Sequence, residues 1–107
     1  MNQMNQLVLE GNAKEFTTKN ETKNFTVSRM TVENKRLYKR NDGTLKEEVI
    51  PIIVEAYGDI FARQIETAFK GTDEKKCRII GRLAYKPVNR SKKIVVVAEH
   101  IEFCQTA

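Results

Sequence analysis

Tryptophan is absent from this chain, histidine occurs once, and cysteine and proline occur twice each. Each scarcity closes off a class of chemistry. Catalysis by general acid and base or by a metal needs convergent His, Cys or carboxylate groups. The one histidine, His100, falls inside an alternating apolar stretch, where a structural role is expected, and the sequence neighbours Glu47 with Glu48 and Asp73 with Glu74 diverge in any strand or turn. No enzyme is expected, and no catalytic residue, cofactor or metal site is assigned. Cys77 and Cys104 are too few and too far apart in sequence for a disulfide framework or a metal knuckle. Long apolar runs are also lacking: the longest, VIPIIV at 49–54, is far short of a membrane span, and no charged segment followed by an apolar one opens the chain. A reducing cytoplasm is the expected location, with no membrane partner.

What is present describes one folded domain over residues 1–107, with 40% hydrophobic and 31% charged residues. The net charge of +5 is unevenly spread. Residues 1–24 balance three Lys against three Glu; residues 25–47 carry six cations and three anions; residues 48–74 carry two cations and six anions; residues 75–107 carry eight cations and two anions. Two separated basic segments favour a polyanionic partner if the fold brings them onto one surface.

Period-two alternation marks most of the chain as strand. Residues 5–16 alternate Leu7, Leu9, Gly11 and Ala13 with polar partners, with a bend or bulge expected at the glycine. Residues 24–33 set Phe25 and Val27 against Thr26 and Ser28. The polar stretch 34–48 holds an Asn-Asp-Gly turn, which predicts a long hairpin projecting from the body. Residues 49–57 form a third strand in which Pro51, lacking a donor, requires an edge or a bulge. The period then changes: Phe61, Ile65, Ala68 and Phe69 share one face of a helix over 58–71, with Asp59 the expected N-cap and Gly71 the expected residue after the C-cap. In CRIIGRLAYK (77–86), Cys77, Ile79, Gly81, Leu83 and Tyr85 form the face expected to be buried, while Arg78, Arg82 and Lys86 lie on the other; residues 92–103 are a fifth strand. Three strands, a helix and two more strands is the order of an OB-fold: all-β with one helix, a five-stranded Greek-key barrel with the helix between strands three and four.

Six segments in this order resemble the bacterial single-stranded DNA-binding protein family over nearly the whole chain: NQLVLEGN, NFTVSRMT, the basic hairpin with a glycine near its tip, VEAYGDIFARQI, KGTDEKKCRIIGRL and VVVAEHIEF. The resemblance implies a non-enzymatic binder of single-stranded DNA, acting in replication, repair and recombination as a homodimer or homotetramer. Binding of this kind uses cations that track phosphates and aromatic rings that stack bases. The hairpin arm offers Lys35, Arg36, Lys39 and Arg40 around Tyr38; the second basic segment offers Lys86, Arg90, Lys92 and Lys93 beside Tyr85; Lys70 stands at the end of the expected helix. Tyr57 stands where the family has an aromatic before glycine that stacks a base, with packing at the barrel mouth as the other reading. Tyr38 either stacks a base or covers its own hairpin. Tyr85 shares parity with the buried set and is expected in the core.

The chain departs from the family pattern in three ways. The family's tryptophans are missing, Asp59 follows Gly58 where a lysine is usual, and the glycine-rich tail with an acidic tip that recruits other replication proteins has no counterpart up to Ala107. By resemblance, a dimer forms through the first strand, at Leu7 and Leu9, and a second contact between dimers uses the outward face of the fourth strand. Arg78 and Arg82 on that face meet other copies of themselves in such a contact, and like charges weaken it. A second function fits the same fold: an adaptor similar to the small primosomal replication proteins, docking partner proteins and binding DNA or RNA secondarily.

Overall fold

A computed structural model describes residues 3–22 and 25–104. Five strands and one helix follow one another as β1 (Leu7–Thr22), β2 (Phe25–Lys39), β3 (Leu45–Tyr57), α1 (Asp59–Ala68), β4 (Glu74–Val88) and β5 (Ser91–Phe103). The strands close into a barrel in the order β1-β2-β3-β5-β4, and the helix falls between strands three and four as the sequence order requires. The expected second strand began at Asn24, which lies outside the described residues. No helix among the described residues is long and apolar enough to cross a membrane.

The barrel interior is filled by Leu9, Ala13, Met30, Val32, Val54, Ile79, Val96 and Ile101, and α1 with its C-cap plugs one end by burying Ile65 and Phe69. Phe69 stacks on Phe16 at a centroid distance of 4.9 Å and meets Phe103 edge-on at 6.1 Å. The helix termini differ from expectation. Gly58 is the N-cap and Asp59 the first helical residue, where its carboxylate accepts the Thr26 hydroxyl at 2.7 Å and lies against the positive end of the helix dipole. The C-cap is Phe69, and the left-handed Gly71 (φ 74°) comes one residue later than expected.

β1 bends at a different place from the one its glycine suggests. Its pairing with β2 shifts between Lys14 and Thr17, around Glu15 at φ 57°, whereas Gly11 keeps regular register with Cys77. Gly11 is needed for closeness instead: a Cβ there would stand 2.3 Å from the Glu33 carbonyl oxygen. Pro51 pairs with Glu33 of β2, while β3 meets β5 only at Val54 and Glu55, so the other side of the proline is an open edge, as its missing donor demands.

The fourth strand overturns one expectation. Cys77, Ile79 and Gly81 are buried, but Leu83 is 45% and Tyr85 65% exposed. A bulge between Ile80 and Gly81, opposite Glu99, shifts the register there, and beyond the Leu83–Val96 pair the β4–β5 hairpin runs past the end of the barrel, so Tyr85 and its partner Ile94 have no interior to fill. The hairpin's other face takes over the burial: Val88, Val95 and Val97 form a second small cluster with Ala84, Ile53 and Tyr57. The hairpin closes through Asn89 and Arg90, both at positive φ (49° and 69°), the two-residue turn that matches strand twist.

Gly81 permits the bulge, since a Cβ there would lie 2.3 Å from the Val97 carbonyl oxygen, a backbone atom that cannot swing aside. Gly81→Ala is expected to destabilise the domain by about 1–3 kcal/mol through overpacking. A thermal melt within a degree of the parent's would contradict it.

Candidate nucleic-acid interface

Alternation along β2 and β3 separates two faces. Ser28, Met30 and Val32 point inward; Phe25, Val27, Arg29 and Thr31 point outward, in register with Tyr57, Glu55 and Ile53. The apolar members Phe25 and Val27 therefore belong to the outer face. The β4–β5 hairpin folds over part of that face, which leaves Val27 buried and Phe25 43% exposed.

The outer face carries a cleft of about 260 Å³ lined by Phe25, Val27, Arg29, Glu55, Tyr57, Lys86 and Pro87. The rings of Phe25 and Tyr57 lie 5.3 Å apart with a 30° tilt, and the Lys86 ammonium sits 5.4 Å from the Tyr57 centroid. The Tyr57 hydroxyl donates to Glu55 Oε1 at 2.9 Å, while Arg29 Nε donates to Glu55 Oε2 at 3.0 Å and Arg29 Nη2 donates to the same oxygen. Burial, with the Glu55 carboxylate second, raises the pKa of Tyr57 above that of a free tyrosine, so its hydroxyl stays a donor. Tyr57 packs against the second apolar cluster and also lines the open cleft.

The two basic segments lie towards opposite ends of this outer face. Lys86 reaches Tyr57, which pairs with Val27; Lys35 is eight residues further along β2, roughly 26 Å at about 3.3 Å per residue. Lys86 and Lys93 are directly paired across β4–β5, an arrangement of like charges that an intervening anion relieves. Lys92 lies over the exposed Tyr85 ring at 5.7 Å, and Arg90 occupies the turn. Lys93 also borders a groove of about 620 Å³ where β3 and β5 diverge.

In the arm, alternation divides the cations: Lys35 and Lys39 share one face with Leu37, and Arg36 shares the other with Tyr38. Arg40 opens the tip, where its N–H donates to the Thr44 carbonyl at 2.8 Å and the Asp42 carboxylate accepts the Thr44 N–H at 3.0 Å. Lys70 is exposed beyond the far end of α1, roughly 15 Å of helix away from Tyr57, and is not gathered into the cleft.

The sequence assigned Tyr57 and Lys86 of the cleft and missed its other five residues: Val27, Glu55 and Pro87 and, beside Val27 on β2, Phe25 and Arg29. For Phe25 and Arg29 the signal existed in their shared parity with Val27, but pairing that parity with Tyr57 required the register between β2 and β3.

Of the oligomer residues, Leu9 is in the core and Leu7 packs against it, so Val8 is the neighbouring side chain that faces outward, 55% exposed. Arg78 and Arg82 are exposed, but Arg78 is in register with Glu10 on one side and Glu102 on the other. Acids therefore flank the row of cations at Arg78, whereas Arg82 pairs with Val97 and Lys86 with Lys93. Burial pushes the Cys77 thiol up to about 11, which keeps it unreactive at neutral pH.

No family model and no curated protein matches this chain. Solved structures do. An SSB of Plasmodium falciparum in complex with ssDNA superposes with a TM-score of 0.82 at 15% identity, covering 98% of each chain. The small single-stranded DNA-binding protein of Streptomyces coelicolor gives 0.73 at 14% identity over 97% of this chain and 95% of that one. The single-stranded DNA binding protein of Thermus aquaticus gives 0.71 at 18% identity, over 95% of this chain and 50% of its own length. The barrel closed by five strands, with its helix between β3 and β4, is the fold of single-stranded DNA-binding proteins, in agreement with the resemblance in the sequence.

Proposed function

We propose that this chain binds single-stranded DNA without requiring a sequence, in the service of replication, repair and recombination, and that it is not an enzyme. The observation that carries the reading is the Phe25–Tyr57 pair with Lys86 against it, on an outer barrel face that runs on to Lys35 and Lys39. Stacking surfaces and phosphate partners are the two components such binding needs. A titration of single-stranded DNA, single-stranded RNA and duplex of equal length tests it. Preference for single-stranded DNA is the expected result; equal binding of all three overturns it.

The adaptor reading has one observation in its favour. Leu37, Leu45 and Val49 are exposed on the arm, the first two by 67% and 72%, and aliphatic side chains suit a protein partner better than a phosphate backbone. A chain that binds none of the three nucleic acids supports this reading.

The proposed assembly is a dimer formed along β1, whose residues Leu7–Gly11 pair with β4 on one edge only. Light scattering at moderate salt without DNA is expected to give the mass of a dimer. A monomer at micromolar concentration would refute it.

A further inference from the structure

A surface that binds a polyanion gains nothing from a carboxylate, yet Glu55 stands in the middle of the cleft. Its side chain is only 4% exposed, and each oxygen already has a partner: Tyr57 on Oε1, Arg29 on Oε2. A buried ion pair of this kind contributes little net stability compared with two apolar side chains in its place. It also cancels the charge of Arg29, so the pair adds no net attraction for phosphate. What it does provide is an acceptor and a donor side by side, in a desolvated place, next to two aromatic rings.

We propose that this cleft is a base subsite with a preference for guanine; the proposal rests on the single-stranded DNA reading above and adds a chemical selectivity to it. Phe25 and Tyr57 supply the stacking surface and Pro87 a further apolar wall, and 260 Å³ accommodates one base rather than a stack. Single-stranded bases stacked on aromatics are read along their Watson–Crick edges. Guanine presents two adjacent donors there, N1–H and the 2-amino group, with O6 beside them. A carboxylate accepts both donors and a guanidinium donates to O6. Glu55 Oε1 keeps a second acceptor direction beside Tyr57, and on Oε2, which takes two donors from Arg29, one of them gives way to the guanine donor as it turns to O6. Thymine places its one N–H between two carbonyl oxygens, which repel a carboxylate. Adenine and cytosine offer one amino group beside a lone-pair nitrogen.

The test is fluorescence anisotropy with a thymine oligonucleotide and with oligonucleotides of the same length in which every third base is guanine, inosine, adenine or cytosine. The guanine version is expected to bind roughly tenfold more tightly than all-thymine, with inosine, which lacks the 2-amino group, losing most of that gain. Glu55→Gln is expected to bring guanine and thymine to equal affinity and to tighten thymine binding, because an anion has left the face. The inosine comparison uses the unaltered chain, so the test stands even where Glu55→Gln fails to fold. Equal affinity of the unaltered chain for thymine and guanine versions overturns the subsite while leaving single-stranded DNA binding intact. Failure to bind any of the oligonucleotides overturns both.

Discussion

Raising the salt concentration from roughly 50 to roughly 200 mM is expected to weaken single-stranded DNA binding by about a hundredfold. The chain has no tryptophan, and its outer face offers one close aromatic pair, so stacking acts at few positions. Phosphate contacts must supply most of the affinity. Lys35 and Lys39 on the arm and Lys86, Lys92 and Lys93 on the β4–β5 hairpin form a minimum set of five cations on the two basic segments. Each phosphate neutralised on a single strand contributes about −0.7 to the slope of log K against log salt, so these five give a slope of about −3.5. The slope is measured by titration at several salt concentrations. A slope near zero would refute an electrostatic interface and favour the aliphatic arm as a protein-docking surface.

Tyr57→Ala is expected to weaken binding by about 1–3 kcal/mol, the contribution of one stacked base. The same substitution strips the second apolar cluster of a member and removes the Glu55 hydroxyl partner, so it also lowers stability. Affinity must therefore be read on the folded fraction. Tyr57→Phe separates the two effects: it keeps the ring against Phe25 and loses only the hydroxyl, so it is expected to retain stacking affinity while melting earlier. If folded Tyr57→Ala binds as tightly as the parent, Tyr57 is a packing residue alone.

The element order was legible because the signals that carry it are local. Phe61, Ile65 and Phe69 at helical spacing against period-two strands elsewhere require no knowledge of partners, and the same holds for the Asn-Asp-Gly tip and for Pro51 at an open edge. Backbone sterics and side-chain period act within a few residues, so the sequence by itself determined a five-stranded barrel with a helix after its third strand. It also placed the basic residues in two segments and put Tyr57 at the strand end where an aromatic lines the cleft.

Tertiary structure alone decided which face is used on β2 and at the far end of β4. Tyr85 follows the parity of Cys77 and Ile79, yet it is exposed because its pair with Ile94 lies past the end of the barrel, where there is no interior to fill. Phe25 and Val27 alternate like core residues, but the core takes Ser28 and Met30, and the apolar pair serves an outer face that the β4–β5 hairpin partly covers. Glu55 meets Arg29 across β2 and β3, far apart in sequence, and becomes a buried ion pair only through strand register. Parity is a local property, but which side of a strand is inside depends on closure of the barrel and on where the hairpins fold back; those are set by contacts between residues distant in the chain.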